Sequence, residues 1–267
     1  MTVAVSLTAP QFDGRFDPVV DAASTAEAFG FDGIFLLDHL VPLDDASRPV
    51  LELAATLGAV AASTTRISVG SLVMRVPLRG PAVSVAIAAT AAAIAPGRVI
   101  LGLGSGDALS ANEAERFGQI LKPLDSRVAE VAEAIASTSQ LGISRWVGGL
   151  HDRLLDVAVH ADGWNAWAIE PERLHRIADR LTVERPDLTV SWGGSVVMGR
   201  NHAHLDDLLE ERHGKGGTIT GTADEVRRHL EAIVAAGATH LVLSLLPNRP
   251  DSWEAFAELV LPKVAGR

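Results

Sequence analysis

Arg98-Val99-Ile100-Leu101-Gly102-Leu103-Gly104-Ser105-Gly106-Asp107 decides how the rest of the chain is read. Val99, Ile100, Leu101 and Leu103 form the apolar run of a strand covered on both faces, as a parallel sheet requires. Glycines at alternate positions then remove side chains, so that backbone approaches a ligand closely. Asp107 follows at the carboxyl end of the strand, where ligands bind in parallel α/β folds. Gly102-x-Gly104-x-Gly106 lacks the spacing of the dinucleotide fingerprint, and no acidic residue ends a second strand at the right distance. Tight packing at a strand end is the plain alternative reading of these glycines.

Working outward, the same strand–turn–helix grammar repeats. Strands are expected at 3–7, 33–37, 67–73, 99–103, 143–147, 163–168, 188–198 and 240–245. The Gly193-Gly194 pair reads as a bulge in the seventh. Helices are expected at 17–29, 51–62, 81–95, 124–137, 151–160, 171–182, 222–236 and 252–264. Asp17-Pro18 supplies an N-cap and a first-turn proline, and Thr222-Ala223-Asp224-Glu225 is a capping box. The stretch from 199 to 221 reads as a polar region with a Lys215-Gly216-Gly217 loop. Strict alternation implies a parallel sheet. Eight units in about 250 residues are the size of a (β/α)8 TIM barrel, one domain over 1–267. A doubly wound sheet is the alternative, and eight strands are many for one.

Composition sets the outer limits. With 48% hydrophobic residues and a mean hydropathy of +0.22, a large core is available. The one segment near membrane-spanning length, Gly80 to Gly97, is alanine-rich, bounded by Pro81 and Pro96, and reads as a buried helix. The N-terminus has no basic region or cleavage site, so no signal peptide is expected. No cysteine is present, which excludes disulfides and thiol catalysis and makes a cytoplasmic location the simple expectation. A formal charge of −10 argues against nucleic acid or an anionic membrane as partner.

In a barrel the reacting groups stand at the carboxyl ends of strands. Those ends are Asp38-His39, Ser71 to Val73, Gly104 to Asp107, Gly148-Gly149 and Trp164 to Trp167. Asp38-His39 stands out, because an ionisable pair after five strand residues is not required by packing. Gly148-Gly149-Leu150 opens a helix with bare amides, which suits an anion, and equally a tight strand-to-helix turn. Trp164 and Trp167 are better suited to core packing than to stacking on a ligand. His202-x-His204 has metal-pair spacing but no carboxylate or cysteine nearby in a metal motif, so no metal is expected. No nucleophile elbow or P-loop lysine motif occurs.

These residues together resemble the luciferase-like flavin and deazaflavin oxidoreductases. The resemblance runs through Ala28-Phe29-Gly30-Phe31-Asp32-Gly33 to Asp38-His39, and through Thr64-Thr65-Arg66-Ile67-Ser68-Val69-Gly70. It continues in Gly97-Arg98, Gly148-Gly149 and Ala161-Asp162-Gly163-Trp164. Gly104-Ser105-Gly106-Asp107-Ala108-Leu109 is similar to the segment of F420-dependent dehydrogenases in which a carboxylate follows the glycines. The resemblance implies a (β/α)8 barrel and a hydride-transferring oxidoreductase that uses coenzyme F420 on a small organic substrate. His39 would handle the substrate proton or hold its oxygen, Asp107 would be the opposing acid or base, and Asp38 would hydrogen-bond the deazaflavin edge. Ser71, Leu72 and Val73 would form a bulge behind the ring with a non-proline cis peptide, at Ser71–Leu72 or Leu72–Val73. Val147 and Leu150 flank Gly148 and Gly149, whose amides would take the cofactor phosphate, while Gly104, Ser105 and Gly106 would complete the cofactor site.

The chain also departs from its relatives. Leu40-Val41-Pro42-Leu43 stands where the sugar-phosphate dehydrogenase branch carries a tryptophan, and Asp107 is one methylene shorter than the usual Glu. The insertion before the fifth strand is missing, which implies a site more open or closed by a partner subunit. An FMN-dependent monooxygenase on the same barrel remains the alternative, and a flavin-binding protein without turnover is the alternative of another class. The helix over 81–95 is apolar nearly all round, so a homodimer through it and the helix over 51–62 is expected.

Overall fold

A computed structural model describes residues 2–12, 14–15, 17–42, 45, 47–107 and 111–266; Leu43, Ala108 and Leu109 lie outside the described residues. The elements in chain order are β1 (Ala4–Thr8), α1 (Asp17–Ala28), β2 (Gly33–Leu36), α2 (Leu53–Ser63), β3 (Ser68–Arg75), α3 (Val76–Arg79) and α4 (Pro81–Ile94). The middle of the chain holds β4 (Val99–Gly104), α5 (Ala111–Arg116), α6 (Leu124–Ser137), β5 (Ser144–Gly148), α7 (Asp152–Ala158), β6 (Gly163–Trp167) and α8 (Pro171–Glu184). The last part holds β7 (Thr189–Gly199), α9 (His202–Glu211), β8 (Ile219–Thr222), α10 (Ala223–Ala235), β9 (His240–Leu246), α11 (Pro250–Leu259) and α12 (Leu261–Ala265).

Every strand pairing is parallel. β1 to β7 follow one another in order, and β9 closes the ring between β7 and β1. The eight-stranded barrel expected from the alternation is therefore present. β8 is an addition that sequence reasoning did not foresee. β7 is long enough to serve two neighbours along one edge: Thr189–Gly193 pairs with β6 and Val196–Gly199 pairs with β8. The polar region from 199 to 221 thus contains α9 and β8, which build up the rim. The expected closing helix is likewise broken at Val260 into α11 and α12, with Pro262 in the first turn of α12.

The Gly193-Gly194 bulge is not found, because β9 pairs continuously with β7 from Ser191 to Val197. Space explains these two glycines. A β-carbon at Gly193 would lie 2.5 Å from the Trp167 ring, and one at Gly194 would lie 2.3 Å from the Trp192 ring. The irregularity sits in β3 instead, where the register against β4 shifts between Ser71 and Met74.

Two apolar layers fill the molecule. The larger lies between the strands and the helices, and includes Leu7, Ile34, Val69, Leu101 and Trp192. The smaller plugs the barrel interior with Phe35, Leu72, Ile100, Trp146 and Val242. Phe35 and Trp146 stack at 5.6 Å, and His240 meets both rings edge-on at 5.9 and 4.9 Å. Below them the His240 Nε2 and Ser6 hydroxyl are 2.8 Å apart. These side chains fill the barrel interior, and a cavity opens where the strands finish.

Several of the phrases that carried the family resemblance hold the amino end of the barrel together. The Glu27 carboxylate accepts from the N–H groups of Thr65, Arg66 and Ile67 and from the Thr65 hydroxyl. Burial alone raises the pKa of Glu27, but the Arg66 amide and these other donors overcome it and bring it to about 2. Arg98 donates to Thr64 and to the carbonyls of Ala61, Thr64 and Ile67. These residues shape the scaffold and stand away from the open end.

α4 is not buried on every side. Val83 is 50% exposed and Ile94 41%, and together with Ala54, Leu57 and Gly58 of α2 the outer face of α4 forms a shallow apolar groove. No helix among the described residues is long and apolar enough to cross a membrane.

Candidate active site

At the carboxyl ends of the strands lies an open cavity of about 1280 Å³. Its position follows from β2, β3 and β4 first. Gln11, fully buried, clamps the end of β2: its side-chain oxygen accepts from the Leu37 N–H at 2.7 Å, and its amide donates to the Leu37 carbonyl at 2.7 Å. Asp38 and His39 follow directly.

Asp38 lines the cavity but is 4% exposed, and both oxygens already have donors. The Arg75 N–H donates to Oδ2 at 2.7 Å, and the Arg79 guanidinium donates to both oxygens at 2.6 and 2.9 Å. These bonds give Asp38 a structural task besides its place on the cavity wall. Asp38 ties the end of β3 and α3 to the end of β2, and Arg79 extends the link to Glu52, the N-cap of α2.

His39 also lines the cavity. Its Nδ1 is 3.3 Å from Oε2 of Glu113, a residue of α5 that sequence reasoning did not single out. Glu113 is 4% exposed and is held by twin bonds from Arg75 at 2.9 and 3.0 Å and by the Leu40 N–H. Burial raises the Glu113 pKa, but the Arg75 hydrogen bond, the Leu40 N–H and the Arg75 charge outweigh it and leave the carboxyl below its ordinary value. Arg75 thus reaches two carboxylates at once, Asp38 through its backbone and Glu113 through its side chain.

The bulge in β3 forms the floor. The Leu72–Val73 peptide is cis, one of the two bonds expected. Val73 is half-buried, and its methyl groups occupy space where neighbouring residues would ordinarily carry side chains. A β-carbon at Gly104 would lie 2.4 Å from Val73 Cγ2, and one at Gly148 would lie 2.5 Å from Val73 Cγ1. The glycines at the ends of β4 and β5 therefore accommodate the bulge, which in turn presents Val73 and Leu72 as an apolar floor.

Beyond β4, Gly104, Ser105, Gly106 and Asp107 line the cavity, and Asp107 is exposed. The loop is held from beneath by Arg127 of α6, whose Nη1 donates to the carbonyls of Ser105 and Gly106 at 2.7 and 2.6 Å, and whose Nε donates to Lys122 at 2.9 Å. Arg127 is 8% exposed and itself lines the cavity. Among the described residues its hydrogen-bond partners are neutral carbonyls, so a desolvated positive charge borders the site without a carboxylate against it.

Gly148, Gly149 and Leu150 line the cavity as expected. The Gly149 N–H, however, donates to the Asn165 carbonyl at 3.2 Å, so this amide is not free for an anion. Two of the expected contact residues do not line the cavity. Ser71 is fully buried and donates to the Gly102 carbonyl at 2.7 Å, and Val147 belongs to the layer between barrel and helices. The tryptophans divide: Trp164 is buried and donates to the Gly149 carbonyl at 2.8 Å, while Trp167 is 39% exposed and lines the cavity. His204 serves its own helix start, with Nδ1 accepting from the Arg200 N–H at 3.1 Å.

The profile of the luciferase-like monooxygenase family matches residues 1–142, just over half of the 267 residues. The chain belongs to that family. Among its relatives, the F420-dependent glucose-6-phosphate dehydrogenase of Segniliparus rotundus is 36% identical over 262 residues, 93% of this chain and 69% of that one. The enzymes of the same name from Beutenbergia cavernae and Intrasporangium calvum are 40% and 32% identical over 124 and 142 residues. Those matches cover 46% and 53% of this chain, and less than half of each relative, 35% and 42%. In structure, an F420-dependent secondary alcohol dehydrogenase in complex with an F420-acetone adduct superposes with a TM-score of 0.83 at 17% identity, over 99% of both chains. The oxygenating constituent of 3,6-diketocamphane monooxygenase from Pseudomonas putida, in complex with FMN, superposes at 0.74 with 16% identity over 99% of both. At these identities the superpositions speak for the fold, the luciferase-like (β/α)8 barrel.

Proposed function

We propose that this chain is an F420-dependent oxidoreductase acting on a small organic substrate. The observation that carries the reading is the cavity at the strand ends, where His39 and Asp107 line an apolar floor of Leu72 and Val73 beside the buried cation of Arg127. The relatives named as F420-dependent dehydrogenases agree with it.

The residues fit the cofactor on physical grounds. F420 supplies a planar ring that carries the hydride, and it bears an anionic tail. Leu72 and Val73 offer the ring an apolar support, and Arg127 offers a desolvated guanidinium to a phosphate. Gly104, Ser105, Gly106, Gly148 and Leu150 complete the wall. His39 exchanges the proton of the substrate or holds its oxygen, and Asp107 is the second group able to take or give a proton. Positioned acids and bases contribute a factor of roughly 10² to 10⁴. Asp38 acts from behind, by fixing β3 against β2.

FMN is the second reading. A phosphate beside Arg127 and a ring on Val73 describe FMN equally well, and the FMN complex of the diketocamphane enzyme shares the fold. A flavin-binding protein without turnover is the third. The test is catalytic: F420 is offered with a panel of secondary alcohols and sugar phosphates, and its absorbance is followed. Substrate-dependent bleaching supports the reading, whereas a bound cofactor that no substrate reduces favours the third.

The chain forms a homodimer in this reading, through the groove between α2 and α4. Neither helix carries a charged residue, and the face they share exposes Val83. A cytoplasmic location agrees with the absence of cysteine from the sequence.

A further inference from the structure

We infer that Glu113 is the positioning residue for His39: it fixes the ring so that Nδ1 carries the proton and Nε2 is presented to the cavity. The inference rests on the reading of His39 as the proton-handling group.

Four donors converge on the two Glu113 oxygens. Oε1 accepts from the Leu40 N–H and from Arg75 Nη2, and Oε2 accepts from Arg75 Nη1 and faces His39 Nδ1. The Glu113 side chain is 3% exposed, against 23% for His39. The carboxylate is thus rigid and the ring is the adjustable partner. An ionised carboxylate only accepts, so the nitrogen opposite it must be the N–H, and the other nitrogen keeps its lone pair. The bond to Leu40 adds register, since one group holds both the ring of residue 39 and the backbone that follows it. Arg75 neutralises the carboxylate and fixes its plane, and its own backbone N–H is fixed by Asp38. The sequence analysis expects no helix over α5, and nothing in Asn112-Glu113-Ala114-Glu115 marks one Glu as the buried one; only the fold brings Glu113 to His39.

Glu113→Gln tests the assignment because it keeps shape and removes one acceptor. With the amide oxygen toward Leu40 and Arg75 Nη2, the amide N–H₂ opposes one donor of Arg75; turned round, it opposes two. The first arrangement is favoured and points an N–H at His39 Nδ1, which must then accept. The His39 ring nitrogens are read by long-range ¹H–¹⁵N correlation in cofactor-free protein with ¹⁵N-labelled histidine, at a pH where the ring is neutral; His39→Gln identifies the signals. The expected result is the Nδ1–H tautomer in the wild type, the Nε2–H tautomer in Glu113→Gln, and turnover lower by roughly 10²-fold with F420 affinity within a few-fold. A wild-type ring protonated at Nε2 overturns the inference even if the variant does not fold, and so does an unchanged tautomer in a folded variant. A shifted tautomer with unchanged turnover supports the inference and instead removes His39 from the chemistry.

Discussion

His39 Nδ1 and Glu113 Oε2 lie 3.3 Å apart across 74 residues of sequence, joining the end of β2 to the helix that follows β4. This contact turns a histidine at a strand end into one with a defined orientation. The same Glu113 is bound twice by Arg75, so three successive barrel units meet at one buried carboxylate.

Replacing His39 by Ala is expected to lower turnover by roughly 10² to 10⁴-fold while F420 affinity stays within a few-fold. Steady-state kinetics and a binding titration measure the two quantities separately. Equal turnover in the variant removes His39 from the mechanism.

Arg127→Leu removes the cation beside the loop after β4. Hydrogen bonds to charged groups contribute about 1.5–3 kcal/mol, so F420 affinity should fall roughly 10- to 100-fold. The phosphate-free deazaflavin riboside should lose much less. Equal losses for both ligands indicate that Arg127 only supports the Ser105–Gly106 backbone.

Acid stability should carry the signature of His240. Burial pushes its pKa down from 6.5 to about 4, so the folded state holds the ring neutral where the unfolded chain protonates it. Its contribution is complete above pH 6.5 and is lost as pH falls from there towards 4, by about 3 kcal/mol in all. Denaturant unfolding across this window should show a smaller pH slope for His240→Asn than for the wild type. Parallel slopes contradict the assignment.

Val83→Arg places a charge on the groove between α2 and α4. Light scattering at micromolar concentration should find the wild type at twice the chain mass and the variant at the chain mass. A monomeric wild type removes the homodimer.

The barrel was legible because period and punctuation agree along the chain: α6 begins and ends where its apolar stripe does, at Leu124 and Ser137. Resemblance supplied the Ser71–Val73 bulge, which no propensity marks. The start of α9 at His202 was legible, whereas β8 escaped because a strand of four residues at a rim buries few side chains. Arg127 did leave a trace, since it falls on the stripe of Leu124, Val128, Val131 and Ile135, where a charge is out of place. Gly104 and Gly148 were legible as glycines but not in purpose, because their shared neighbour Val73 comes from another strand. Asp38 was found, but its engagement by Arg75 and Arg79 depends on a turn in the chain that spacing does not give.

The central claim is that this cavity holds F420, and equilibrium titration of the purified protein with F420 and, separately, FMN tests it most directly, with fluorescence as the readout. The account predicts tight binding of F420 and weak binding of FMN. Tight FMN with weak F420 contradicts it and moves the chain to the monooxygenases, with oxygen consumption as the next measurement.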